Sequence, residues 1–141
     1  MQGIPLTSHD EQLIQAAQAI IARLYRPDQH HVGAALATQS GRIFTAVHLE
    51  SYLGRTTVCA EAMVMGKAFS EGERDFATIV AVRHPDADDA QTHPYVVPPC
   101  GMCRELMLEY GPNMAVILPH KKELLKCQAR DLLPFPYRQE G

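Results

Sequence analysis

At 141 residues and 15.6 kDa, the chain has the length of one ordinary domain, spanning 1–141. Its 46% hydrophobic and 21% charged residues are the balance of a globular protein with its own core. A formal net charge of -3 argues against a general grip on nucleic acid, whose phosphates call for a basic surface. No basic stretch leads into an apolar run at the start, and no stretch approaches the roughly 18 apolar residues of a membrane span. A cytoplasmic protein without membrane partners is the expectation. The four cysteines could form two disulfides, but two of them sit in a C-x-x-C, which without export points to metal or redox chemistry.

Residues 8–25 read as the first helix. Ser8 and Glu11 have capping-box spacing, and Leu13, Ile14, Ala17, Ile20, Ile21 and Leu24 make one apolar stripe that Pro27 ends. Residues 32–37 and 42–48 read as a hairpin turning at Gln39-Ser40-Gly41, followed by a loop over 49–57. Residues 59–70 read as a second helix, with Ala62, Met63, Met65, Ala68 and Phe69 on apolar positions and Gly72 just beyond its end.

The unbroken apolar run 78–82 has the pattern of a buried central strand. Residues 85–99 hold four prolines and three aspartates and read as a surface loop. A third helix covers 100–110 and stops at Gly111-Pro112, and 114–118 is another buried strand, closed by Pro119. Beyond it no period dominates, and only 130–134 reads as a short helix or turn. The order α-β-β-α-β-α-β predicts an α/β fold, a mixed β-sheet flanked by helices, with an antiparallel hairpin early and parallel pairing late.

Two short segments carry the chemistry: Cys59-Ala60-Glu61 and Pro99-Cys100-Gly101-Met102-Cys103. A C-x-x-C at a helix start turns two sulfurs to one side, where both can bind one tetrahedral zinc ion, and Cys59 supplies a third. Three protein ligands leave one position for water, as a catalytic site requires. All three cysteines fall in the first turn of helices, whose positive ends favour thiolates. Glu61 can reach the remaining position without being a ligand. Two other readings stand beside this one. Cys100 and Cys103 could form a redox pair, which leaves Cys59 and Glu61 unexplained. A closed structural zinc site would need a fourth ligand, for which Cys127 or one of the seven histidines could serve. Cys127 otherwise reads as a plain semi-buried thiol.

On these residues the chain resembles the zinc deaminases, whose pattern is His or Cys, a non-ligand Glu two residues on, then Pro-Cys-x-x-Cys. Further segments sit at the spacing of the small single-domain cytidine deaminases: Val32-Gly33-Ala34-Ala35-Leu36, Ser40-Gly41-Arg42-Ile43-Phe44, Ser70-Glu71-Gly72 with Asp75-Phe76, and Leu132-Leu133-Pro134. The likeness covers residues 32–137 and extends to the related blasticidin S deaminases. It implies a three-layer cytidine-deaminase-like fold and one Zn2+ per subunit on Cys59, Cys100 and Cys103. It also implies hydrolytic attack at C4 of a free cytosine nucleoside, cytidine or deoxycytidine, within pyrimidine salvage. A modified cytosine compound, such as a blasticidin S-like antibiotic or an N4-substituted cytidine, is the alternative. Glu61 takes the proton of the attacking water, protonates ring N3 and helps the amine leave as ammonia. A homotetramer with active sites near subunit interfaces is implied as well.

The substrate pocket is expected to use His48, Glu50, Ala60 and His30, and here the chain departs from the pattern. The family's ribose-binding Asn-x-Glu is His48-Leu49-Glu50, a Phe that packs on the base falls near His30, and a Tyr near position 54 is replaced by Gly54. Three thiolates on Zn2+ carry net charge -1, and many relatives place Arg directly after C-x-E, where this chain has Ala62. Arg104 is the candidate for compensating charge. An inactive zinc-bound interaction domain would have no need of Glu61, and no aromatic-basic interleaving suggests a strand-binding groove.

Overall fold

A computed structural model describes residues 3–138. Its elements are α1 (Ser8–Leu24), β1 (Val32–Thr38), β2 (Ile43–Val47), α2 (Ala60–Ser70), β3 (Phe76–Arg83), β4 (Tyr95–Val97), α3 (Gly101–Tyr110), β5 (Ala115–His120) and β6 (Glu123–Gln128), with short 3-10 turns at Gly54–Thr56 and Ala129–Leu132. The sheet runs β2-β1-β3-β5-β6, and β4 pairs with β3. Only β3 and β5 are parallel; the β1–β2 hairpin and the β1–β3, β3–β4 and β5–β6 pairs are antiparallel.

The central strands read as unbroken apolar runs because both faces of the sheet are covered. Side chains alternate across a strand. Ala34 and Leu36 of β1, Ile79 and Ala81 of β3, and Val116 and Leu118 of β5 therefore share one core with Val64, Met65 and Ala68 of α2 and Met107 of α3. Ala35, Val80, Val82 and Ile117 face the other way, onto Leu13, Ile14, Ala17 and Ile21 of α1. The result is three layers, with α2 and α3 on one side and α1 on the other. Gly33 allows α1 to come close to β1. A Cβ there would lie 2.9 Å from both the Ala17 carbonyl oxygen and Ile21 Cβ. No helix among the described residues is long and apolar enough to cross a membrane.

Several expected boundaries move, each for a physical reason. The first helix ends at Leu24 rather than Tyr25, and Leu24 itself is exposed. Its cap is one residue earlier than Ser8: the Thr7 N–H donates to Asp10 Oδ2 (2.8 Å) and the Asp10 N–H donates to Thr7 Oγ1 (3.3 Å). Both pairs have the same spacing in sequence; Lys126 Nζ, 2.6 Å from Asp10 Oδ2, gives the earlier pair a partner from β6. The loop expected over 85–99 contains β4, whose Tyr95-Val96-Val97 is a short strand-forming run. Strand β5 continues past Pro119 to His120. β3 pairs with it only at Ala115 and Val116, so Pro119 lies beyond that ladder, where a missing N–H is tolerated. β6 is not legible in the sequence because it is an edge strand with only Cys127 buried. Its connection to β5 is the two-residue turn Lys121-Lys122, with φ of 50° and 69°. Asn-Gly normally marks such a turn, and two lysines give no such signal.

The Asp10–Lys126 pair makes stability depend on acid. Burial pushes the Asp10 carboxyl up, but the Lys126 hydrogen bond, the Thr7 N–H and the Lys126 charge outweigh it and hold the carboxyl below its ordinary value. A depressed carboxyl stabilises the fold fully above the unfolded pKa, about 3.9, and ceases to do so as pH falls through the lower folded value. Asp10→Asn is expected to cost about 2 kcal/mol at pH 7, and the difference from the parent should shrink below about pH 4. Thermal unfolding at pH 7 and in the acid range reads both effects; a pH-independent difference would contradict this assignment.

Candidate functional site

Two helix N-termini meet on one face of the sheet. Cys59 is the N-cap of α2 and Cys100 the N-cap of α3, and the Cys103 N–H lies toward the Cys100 sulfur. Cys103 follows within the first turn of α3 and is buried. Pro99 precedes Cys100, and its fixed φ stiffens the approach to the helix. Cys59 is placed from the other side: Leu49 and Val58 exchange backbone hydrogen bonds of 2.9 and 3.0 Å, which ties the residue before Cys59 to the segment leaving β2.

The three sulfurs lie within 4.8 Å of one another, with Cys59 Sγ and Cys100 Sγ 3.4 Å apart. Sulfurs held at about 2.3 Å around one tetrahedral zinc are about 3.8 Å apart, so the donor set fits that ion in type and spacing. Among the described residues no fourth Cys, His, Asp or Glu joins this group. Cys127 lies in β6 opposite Val116, buried in the core as a small apolar side chain. A closed four-ligand site therefore lacks its fourth member here.

The helix termini do not lower all three thiols, as the sequence suggested. Burial pushes Cys59 up to about 11, with the Cys100 thiol acting in the same sense. Burial likewise pushes Cys103 far up. Only Cys100 is lowered: burial opposes this, but the Cys103 N–H and the two neighbouring thiols outweigh it. Desolvation is the largest effect at the two more enclosed sulfurs, so a cation at their focus is what would make them thiolates.

Glu61 stands in the first turn of α2, 6% exposed. Burial raises its carboxyl above the ordinary value, its own N–H acting in the opposite sense. A raised carboxyl holds a proton more readily than an ordinary glutamate, which suits a group that both accepts and returns one. It lines a cavity of about 150 Å3 with Val32, His48, Cys59, Ala60, Val97, Pro98 and Cys100. A cavity of about this volume holds a single six-membered ring. Val97 and Pro98 are absent from the sequence-based pocket because their stretch reads as loop; the β-branched pair at 96–97 is the signal that could have found them.

The pocket residues expected from the sequence divide. His48 and Ala60 line the cavity. Glu50 reaches it through His48, whose Nε2 lies 3.0 Å from Glu50 Oε2. His30 is not among the lining residues: its Nδ1–H donates to the His48 carbonyl at 2.8 Å, so it braces the end of β2. Arg104, the candidate for compensating charge, also makes two backbone contacts. Its Nε–H donates to the Pro99 carbonyl (2.9 Å) and its Nη1–H to the Leu132 carbonyl (3.2 Å), fastening the approach to Cys100 onto the last turn of the chain.

The family model described as the cytidine and deoxycytidylate deaminase zinc-binding region matches residues 7–118. The chain belongs to this family and is a deaminase enzyme. It is 45% identical over 137 residues to the blasticidin-S deaminase of Bacillus cereus, covering 97% of this chain and 98% of that one. It is also 35% identical to a probable cytidine deaminase of Dictyostelium discoideum, covering 92% of this chain and 84% of that one. Among solved structures, the cytidine deaminase of Burkholderia pseudomallei superposes with a TM-score of 0.73 at 32% identity, covering 94% of this chain and 100% of that one.

Arg104→Ala removes two charge-assisted hydrogen bonds to carbonyls at once. It is expected to destabilise the fold by about 1–3 kcal/mol, and Arg104→Lys, with a single ammonium, to recover at most part of that. Urea titration of the three proteins measures it; equal stabilities would show that the clamp contributes nothing.

Proposed function

We propose that the chain hydrolytically deaminates the cytosine ring of a free nucleoside-type compound, with blasticidin S preferred over cytidine. The carrying observation is a buried Glu61 carboxyl beside three converging sulfurs in a cavity sized for one ring. Cys59, Cys100 and Cys103 would hold a zinc ion, whose Lewis acidity would make water nucleophilic near neutral pH. Glu61 takes a proton from the water that attacks C4, delivers it to ring N3, and then assists departure of the amine as ammonia. Ala60 and Val97 wall the ring. Burial of Glu61 favours its protonated form, which suits the acid half of the cycle.

Two observations support blasticidin S as the preferred substrate: the identity to the Bacillus cereus enzyme, and the imidazole of His48 where ribose-binding relatives have an amide. Cytidine is the second reading, favoured by Glu50, which the chain keeps at the position of the ribose-binding carboxylate. The homotetramer implied by the resemblance is kept in this proposal; Tyr52, Phe135 and Tyr137 are aromatic surfaces that such an assembly could cover. The four free thiols suit a reducing cytoplasm.

Glu61→Ala is expected to retain close to one zinc per chain while turnover falls by about a hundred- to ten-thousand-fold. Metal analysis paired with ammonia release tests this, and substantial residual turnover would remove Glu61 from the mechanism. Ammonia release from blasticidin S, cytidine, deoxycytidine and free cytosine separates the substrate readings. A higher kcat/KM on blasticidin S is expected; a higher value on cytidine reverses the preference, and no turnover of any of the four defeats the proposal.

A further inference from the structure

His48 presents a ring whose two nitrogens have separate tasks. Its Nδ1 accepts the backbone N–H of His31 at 2.9 Å and that of Val32 at 3.2 Å. A nitrogen that carries its own proton cannot accept these bonds, so the proton of the neutral ring is on Nε2. That Nε2–H donates to Glu50 Oε2 at 3.0 Å. The surroundings hold the ring in place. His48 is 7% exposed, and the His31 ring lies 5.2 Å from it. The His48 N–H donates to the Val32 carbonyl, the Glu50 N–H donates to the Gln29 carbonyl, and Leu49 between them pairs with Val58 beside Cys59.

We infer that His48 is a positioning residue: the start of β1 fixes its tautomer, and its Nε2–H then holds the Glu50 carboxylate beside the cavity that His48 itself lines, so that substrate affinity depends on the pair. This role rests on the deaminase reading proposed above, whereas the hydrogen-bond arrangement stands apart from it. The same tautomer decides a second question. His31, His48 and Glu50 bring three donor atoms within 4.8 Å of one another, a grouping that could hold an ion. An imidazole that accepts N–H bonds at Nδ1 and binds a metal at Nε2 would have to lose its last ring proton, whereas metal-bound histidines donate from the other nitrogen. The trio is a hydrogen-bonded wall and not a second metal centre.

Substitutions at 48 separate the two tasks. Asn places an acceptor near the Nδ1 position and has no donor that reaches Glu50. Gln places a donor near the Nε2 position and gives up the bonds to the start of β1. The experiment records side-chain 1H–15N NMR of the histidines in the zinc-loaded enzyme. It pairs this with kinetics on blasticidin S and cytidine for the parent, His48→Asn, Glu50→Ala and the double variant. Expected are an Nε2–H tautomer for His48 at pH 7 and a KM for the better substrate raised about tenfold in each single variant, the usual worth of a hydrogen bond to a charged group. The double variant should be no worse than either single one, because all three lack the same interaction. His48→Gln should melt well below His48→Asn. An Nδ1–H tautomer, single-variant effects that multiply in the double, or losses confined to kcat would overturn the inference. A parent enzyme inactive on both compounds would sink the deaminase reading and the substrate half of this role together, while the NMR tautomer still decides the hydrogen-bond half.

Discussion

Two helix N-termini are brought to one point on the α2–α3 face of the sheet, and the rest of the site depends on that convergence. Cys59 and Cys100 occupy the same structural position, the N-cap, in helices that lie in different parts of the chain. Their sulfurs lie 3.4 Å apart. The sheet sets this meeting. Strands β1 and β3 carry the apolar residues against which α2 packs, and β3 and β5 form the parallel pair that α3 helps connect. Short ties just ahead of each helix hold the ends in place: Leu49–Val58 before Cys59, and the Arg104 clamp on Pro99 before Cys100.

Burial then sets the chemistry, and it acts differently on each group. It holds protons on Cys59 and Cys103 and raises the Glu61 carboxyl. A divalent cation bound there would reverse the balance for the sulfurs. Glu61 is outside the sulfur cluster and keeps a carboxyl able to move protons. The His48–Glu50 pair follows a third pattern, in which a neutral imidazole is held by backbone N–H groups on one side and meets a carboxylate on the other.

The candidate metal-site residues were legible because their spacing is local. C-x-E and P-C-x-x-C each fit within one helix start, and the turn of an α-helix sets which side chains share a side. The apolar runs of β3 and β5 were legible for a similar reason, since a strand covered on both faces needs little else. The pocket wall was less so. β4 is three residues long inside a proline-rich stretch, β6 is an exposed edge, and the Lys121-Lys122 turn carries no glycine or asparagine to mark it.

The sequence by itself determined the family, the α/β order of elements and the residues proposed for metal and proton chemistry, because period, cap and motif are encoded within a few neighbours. Tertiary structure alone decided which of two equally spaced capping boxes forms, through a lysine 116 residues away from Asp10. It also decided that Arg104 grips carbonyls 5 and 28 residues off, that His30 braces a strand instead of lining the cavity, and that His48 carries its proton on Nε2. Each is a choice among hydrogen-bond partners, and partners far apart in the chain become available only once the sheet register has brought them together.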